Sequence, residues 1–264
     1  MDKEIISIKN VKYSYETATV LRDVSFQVKK GEKVVILGVN GSGKSTLLKV
    51  LNGLIFPSEG EYLYKGERIT EKKLKDKAFN KKFRKEVVLL FQSPDSMLFN
   101  PTVYDEIAFG LRQLGEDKKV IDEKVRYWAD KIGIYRHLDK PPFNLSGGEK
   151  QKVCLASLLV LEPELMLLDE PTSNLDPRST GWFIDFLYEL DKTVITTTHN
   201  LGLAVEMGER GIVLSENHTV IYDGCLKGFL KDRDKLIEAN LVHIHKHRHG
   251  KVEHSHYHTH LFFD

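Results

Sequence analysis

Gly38, Gly43, Lys44 and Ser45 fall at the spacing GxxxxGK[ST], the pattern of a loop that wraps phosphates. Glycines let such a loop turn tightly and aim backbone N–H groups at phosphate oxygens, and the helix that follows adds partial positive charge. Lys44 is placed to reach β- and γ-phosphates, and Ser45 to ligate Mg²⁺. Asn40, Gly41, Ser42, Gly43, Lys44, Ser45 and Thr46 are thus the candidate phosphate-binding residues. A second pair of groups, Asp169-Glu170, ends the apolar run Leu165–Leu168. Ligands of parallel sheets sit at the C-terminal ends of strands. There Asp169 would hold Mg²⁺ through water and Glu170 would polarise the attacking water. Alone, an acidic pair after an apolar run reads equally well as a helix start. A third feature is Leu145-Ser146-Gly147-Gly148-Glu149. Ser146 and Glu149 form a capping box for a helix over 149–161. The two glycines cost roughly 1 kcal/mol each in a helix relative to alanine, so something must approach the backbone closely. A serine hydroxyl among bare helix N–H groups is a second phosphate-type site. It is hard to aim at the nucleotide already held by this chain, so it is read as serving a nucleotide held by another subunit.

The elements that would carry these residues are strands alternating with helices. Val34–Leu37 precedes the phosphate loop and Leu47–Leu51 follows it, which is the strand–loop–helix context. Val87–Phe91, Leu165–Asp169 and Val194–Thr198 are apolar or β-branched runs suited to strands buried on both faces. Ile212–Leu214 and Val220–Tyr222 read as closing strands. Helical patterns occupy 120–132, 149–161 and 178–190. Residues 4–37 read as short strands with turns, and Glu61–Tyr64 as another strand. The alternation predicts a mainly parallel α/β sheet, with 93–150 as a helical insertion.

The chain has 264 residues, 39 basic and 38 acidic, so no general field draws it to nucleic acid. Two distant cysteines, Cys154 and Cys225, form no metal or redox motif and suit a reduced compartment. No apolar stretch approaches the roughly 20 residues of a membrane span, and the charged opening Met1-Asp2-Lys3-Glu4 does not read as a secretory signal. Service at a membrane would be that of a peripheral subunit. The lysine-rich stretch 71–86 reads as a solvated face, or as a contact for an anionic membrane surface.

Taken together, the motifs resemble the ATP-binding cassette family over most of residues 4–240. Leu145–Gln151 looks like its signature motif, Tyr15 like the aromatic that stacks on adenine, and Gln92 like the Q-loop glutamine that reaches Mg²⁺. Ser173–Asp176 looks like the D-loop, and His199 like the switch histidine that senses the γ-phosphate. The resemblance implies a P-loop ATPase core with an antiparallel β subdomain, a helical subdomain and an ATP-hydrolysing activity in which Lys44, Gln92, Glu170 and His199 act. It also implies a head-to-tail dimer, with a second copy of the chain favoured. Each ATP would then lie between one subunit's phosphate loop and the partner's Ser146, Gly147 and Gly148. The chain departs from the family pattern at Glu149 and Lys152, where Gln and Arg are common, and at Asn174, where Ala or Gly is common; Lys150 stands where Lys or Arg is common.

Phe91–Val103 further resembles the Q-loop of energy-coupling-factor ATPases, including cobalt and nickel importers, in which this region receives helices of a membrane subunit. Met97, Leu98 and Phe99 would suit that contact; otherwise they pack in the helical insertion. The tail, 241–264, carries His243, His245, His247 and His249, then His254, His256, His258 and His260. A period of two places each set on one face of an extended strand, and Gly250–Glu253 could turn the chain into a hairpin. Imidazole suits Ni²⁺, Co²⁺ and Zn²⁺. The expectation is an ATPase at the cytoplasmic face of the membrane, powering cobalt or nickel import with ATP and Mg²⁺. Alternatives are an importer of a vitamin or other substrate, a soluble cassette ATPase, and a metal sensor.

Overall fold

In the computed structural model, residues 3–16, 18–249 and 252–259 are described, with side chains up to Val242. The elements, in chain order, are β1 (Glu4–Tyr15), β2 (Ala18–Lys29), β3 (Lys33–Leu37), α1 (Lys44–Leu51), β4 (Glu59–Tyr64), β5 (Glu67–Arg68), α2 (Glu71–Leu74), α3 (Lys77–Glu86) and β6 (Val87–Leu90). They continue with α4 (Val103–Gln113), α5 (Lys118–Ile132), α6 (Gly147–Leu159), β7 (Leu165–Asp169), α7 (Pro177–Glu189), β8 (Thr193–Thr198), α8 (Leu201–Met207), β9 (Arg210–Leu214) and β10 (Val220–Cys225). Last come α9 (Leu226–Lys231), α10 (Arg233–Glu238), β11 (Val242–His249) and β12 (Val252–Thr259). They divide into two compact units, one of residues up to Glu71 together with those from Thr193 onward, the other Lys72–Lys192.

The first unit holds an antiparallel sheet, β2-β1-β4-β5, and a mainly parallel set in which β3 lies between β8 and β9 and β10 runs antiparallel to β9. β3 is buried from Val34 to Leu37 and β8 throughout, as the unbroken apolar and β-branched runs require. β1 and β2 are each 12 residues long, where the sequence suggested shorter pieces. Their pairing shifts register between Ile8 and Val11 and again near Tyr13, and Asn10 and Asp23 take positive φ. These bulges break the period-two alternation without ending the strands. β11 and β12 pair antiparallel, with His243 opposite His258, His245 opposite His256 and His247 opposite His254. The side chains of these residues and of His249, and all of His260, lie outside the described residues.

The second unit pairs β6 with β7 in parallel, both fully buried, and surrounds them with helices. The expected helices are present, as α5, α6 and α7. Between β6 and α6 there is no strand, only α4, α5 and three short 3₁₀ turns at Pro94–Ser96, Tyr135–His137 and Pro142–Asn144. Capping explains where these helices start. Thr102 accepts from the Asp105 amide, Asp176 accepts from the Arg178 and Ser179 amides, and Ser146 and Glu149 close the expected capping box. Lys72, Lys75, Lys77, Lys81 and Lys82 in the basic stretch are exposed.

Candidate nucleotide site

The first unit carries the phosphate loop, Tyr15 and His199. The loop leaves the buried end of β3 and enters α1 at Lys44. Gly43 caps α1 with φ 106, and a Cβ there would collide with the carbonyl of Val20, so only glycine fits. The Lys44 ammonium is buried inside the loop and donates to the carbonyls of Gly38, at 2.8 Å, and Val39, at 3.1 Å. Ser42 Oγ is buried with no hydrogen-bond partner. A turn of amides around a buried ammonium, with an orphaned hydroxyl beside it, fits an anionic phosphate chain. Tyr15, at the end of β1, is 42 % exposed and packs edge-on against Tyr13 with ring centroids 4.9 Å apart. A flat, accessible ring suits stacking. His199 is exposed just beyond β8, and Asn200 behind it caps α8. His218, which drew no attention in the sequence, sits in the β9–β10 turn with φ 64. Its Nδ1 lies 3.3 Å from the Ser42 carbonyl, and its own carbonyl accepts from the Arg22 amide at 2.8 Å. It thereby ties the phosphate loop to β2. A turn histidine gives no sequence signal of such a long-range contact.

The second unit carries Gln92, the signature run and the acidic pair. Asp169 ends β7 and Glu170 follows it, each 7 % exposed. Glu170 holds φ 45, a backbone that a non-glycine residue adopts only where its surroundings impose it. Gln92 is exposed after β6. Within this unit α6 is fastened at both flanks. Lys150 Nζ meets Asp95 Oδ1 at 2.7 Å in the segment after Gln92, and Gln151 Nε2 donates to the Pro171 carbonyl at 2.9 Å beside Glu170. The sequence shows Asp95 and Lys150 but not that they meet across 55 positions. The two glycines of the signature run prove different. A Cβ on Gly148 would lie 2.5 Å from Ser179 Oγ, so the close approach there is internal. A Cβ on Gly147 would have only the Asn174 carbonyl at 3.7 Å, so its face is open. Ser146 is exposed as well. Phe99 is 67 % exposed and sets its ring edge-on to Phe109 at 5.0 Å, whereas Met97 and Leu98 are half-buried. Phe99 is therefore not core packing. Among the described residues no His, Cys, Asp and Glu cluster could hold a transition metal, and no helix is long and apolar enough to cross a membrane.

Comparison with known proteins agrees with this geometry. The ABC transporter family model matches residues 21–173. A putative ABC transporter ATP-binding protein of Methanosarcina acetivorans is 43 % identical over 91 % of this chain and 90 % of its own. An energy-coupling factor transporter ATP-binding protein of Methanocaldococcus jannaschii is 37 % identical over 90 % and 85 %. Among solved structures, CbiO1 of Clostridium perfringens, part of the cbiONQ ABC transporter complex, is 31 % identical with a TM-score of 0.77, covering 91 % of this chain and 96 % of that one. A dimeric ATP-binding cassette in a post-hydrolysis state with ADP and phosphate is 28 % identical with a TM-score of 0.76, over 85 % and 100 %. With the phosphate loop, acidic strand end and signature run all in family order, this chain belongs to the ABC transporter family as an ATP-hydrolysing, ATP-binding chain.

Proposed function

We propose that this chain is the ATPase subunit of an energy-coupling-factor-type importer, working as a head-to-tail dimer at the cytoplasmic face of the membrane, with cobalt or nickel as cargo. The observation that carries the reading is the Gln92–Val103 segment. Its motif resembles that of energy-coupling-factor ATPases, it presents Phe99 to solvent, and the Lys150–Asp95 pair fastens it to the signature helix. A pull on this segment would therefore reach α6. The names of the Methanocaldococcus relative and of CbiO1 support the same branch. The histidine-rich tail supports a transition metal as cargo.

In the reaction, Lys44 and the loop amides would bind the β- and γ-phosphates while Tyr15 stacks on the base. Ser45, Gln92 and Asp169 would hold Mg²⁺, which neutralises phosphate charge when bound. Glu170 would take a proton from the attacking water, and His199 would orient the γ-phosphate. Ser146 and Gly147 would close the partner's site. ATP binding then draws the two subunits together, and hydrolysis with product release lets them part.

The test is capture of the chain with its membrane partners, reconstitution, and uptake of radiolabelled cobalt, nickel and candidate vitamins. ATP-dependent metal uptake that disappears in Glu170→Gln, with ATP still bound, supports the proposal. Uptake of a vitamin and no metal overturns the cargo. Full hydrolysis by Glu170→Gln overturns the role given to Glu170.

A further inference from the structure

The departure at Glu149 has a partner in the fold. Glu149 Oε2 accepts from the Ser146 hydroxyl at 2.8 Å and from the Ser146 amide at 3.0 Å. Its other oxygen, Oε1, lies 2.9 Å from Nε2 of His137, a residue 6 % exposed. A carboxylate at that distance needs the proton on Nε2, while Nδ1 is buried with no hydrogen-bond partner. Arg136 Nε also aims its N–H at this nitrogen, at 3.2 Å, and a proton on Nε2 turns that contact from a hydrogen bond into donor facing donor; the shorter approach of the carboxylate decides the tautomer. The Ser146 bonds, followed by the electrostatic pull of His137 and Arg136, hold the Glu149 carboxyl below the usual carboxylate range. Lys152 also feels the Glu149 charge. The one proton of the Ser146 hydroxyl is thus committed to a carboxylate on its own helix. A phosphate arriving at Ser146 needs that proton and also meets that negative charge.

We propose that His137 is a positioning residue for the ATP-driven dimer: by donating to Glu149 Oε1 it draws charge off the carboxylate and holds it on the cap, so that Ser146 can turn its proton to the partner's γ-phosphate. The proposal rests on the reading that Ser146 and Gly147 complete the partner's ATP site. A neutral amide at 149 can still accept from Ser146 but brings no negative charge against the phosphate, so the histidine matters here because the carboxylate is here.

The experiment is dimerisation of the purified full chain with a non-hydrolysable ATP analogue, followed by sedimentation velocity, beside analogue affinity at the single phosphate loop. His137→Ala should weaken dimerisation by about tenfold, the scale of one lost hydrogen bond to a charged group, with loop affinity unchanged. His137→Gln, which keeps a donor near Nε2, should restore most of it. In a Glu149→Gln background, His137→Ala should change dimerisation by less than about twofold. An equal loss in both backgrounds, or a loss that follows thermal stability in His137→Ala and His137→Gln alike, would make His137 a packing residue and overturn the proposal. Ser146→Ala is the separate control. If it leaves dimerisation untouched, the reading of the signature run has failed, and the His137 proposal falls with it; if it weakens dimerisation, only the His137 comparison decides.

Discussion

Cys154 and Glu170 are both buried in the second unit, and their local environments give them opposite uses. Glu170 follows a strand and holds a left-handed backbone, an arrangement costing about 1–3 kcal/mol that persists where the surrounding structure enforces it. Cys154 lies in the middle of α6, and its sulfur faces the Pro94 carbonyl at 3.7 Å. Burial first, then the negative charges of Glu106 and Asp95, pushes its thiol up to about 12. The thiolate is the nucleophile, so Cys154 stays protonated and unreactive through the physiological range. Cys225 is exposed. Native protein treated with iodoacetamide at about pH 8 should therefore label Cys225 and spare Cys154, and unfolding should release the second thiol. Mass spectrometry of the labelled peptides decides it. Rapid native labelling of Cys154 would mean that α6 opens far more readily than its packing indicates.

Helices and strands are where the sequence was most readable, and their limits have physical causes. Runs such as Leu165–Leu168 and Val194–Thr198 announce strands because both faces are buried and every position must be apolar or β-branched. β1 and β2 were read as fragments because their bulges shift which face each residue occupies. The candidate site was legible wherever chemistry is written in adjacent residues, as in Gly38–Thr46, Asp169-Glu170 and Ser146–Glu149. It was illegible where partners are far apart in sequence, as with His218 and Ser42, or Lys150 and Asp95. Gly148 stands between these cases. Its presence signalled a close approach, but only the fold shows that the approaching group is Ser179 Oγ, which also bonds Asp176 Oδ2 at 2.6 Å. Gly148→Ala gains up to about 1 kcal/mol in helix propensity and meets overpacking of about 1–3 kcal/mol. The expected net is a destabilisation of about 1 kcal/mol, and Ser179→Ala in the same chain should recover part of it. Denaturant unfolding of the four members of this cycle checks the coupling. Gly147→Ala, with open space before it, should be neutral or stabilising in the same assay.

At the scale of the whole molecule, the histidine-rich tail, for which metal binding is proposed, should be separable from ATP hydrolysis. The last described buried side chains are Leu241 and Val242, which follow α10. A chain ending at Val242 keeps both and removes every histidine of the tail. It should therefore retain its melting temperature, its basal ATP hydrolysis and its nucleotide-driven dimerisation. What it should lose is binding of Ni²⁺ or Co²⁺, measured by equilibrium dialysis. In the full chain the backbone register sets His243, His245 and His247 opposite His258, His256 and His254. Imidazole suits a borderline metal. Ligation requires neutral imidazole, and protons compete with the metal below the histidine pKa. Binding should hold above about pH 7 and fade as the pH falls through about 6.5, the ordinary histidine value. Metal binding that survives truncation would place the site elsewhere in the chain. Loss of basal hydrolysis on truncation would show that the tail belongs to the catalytic body. A truncated chain that hydrolyses ATP normally but, in the reconstituted importer, takes up metal only when the external concentration is high would assign the tail to cargo handling instead of energy supply.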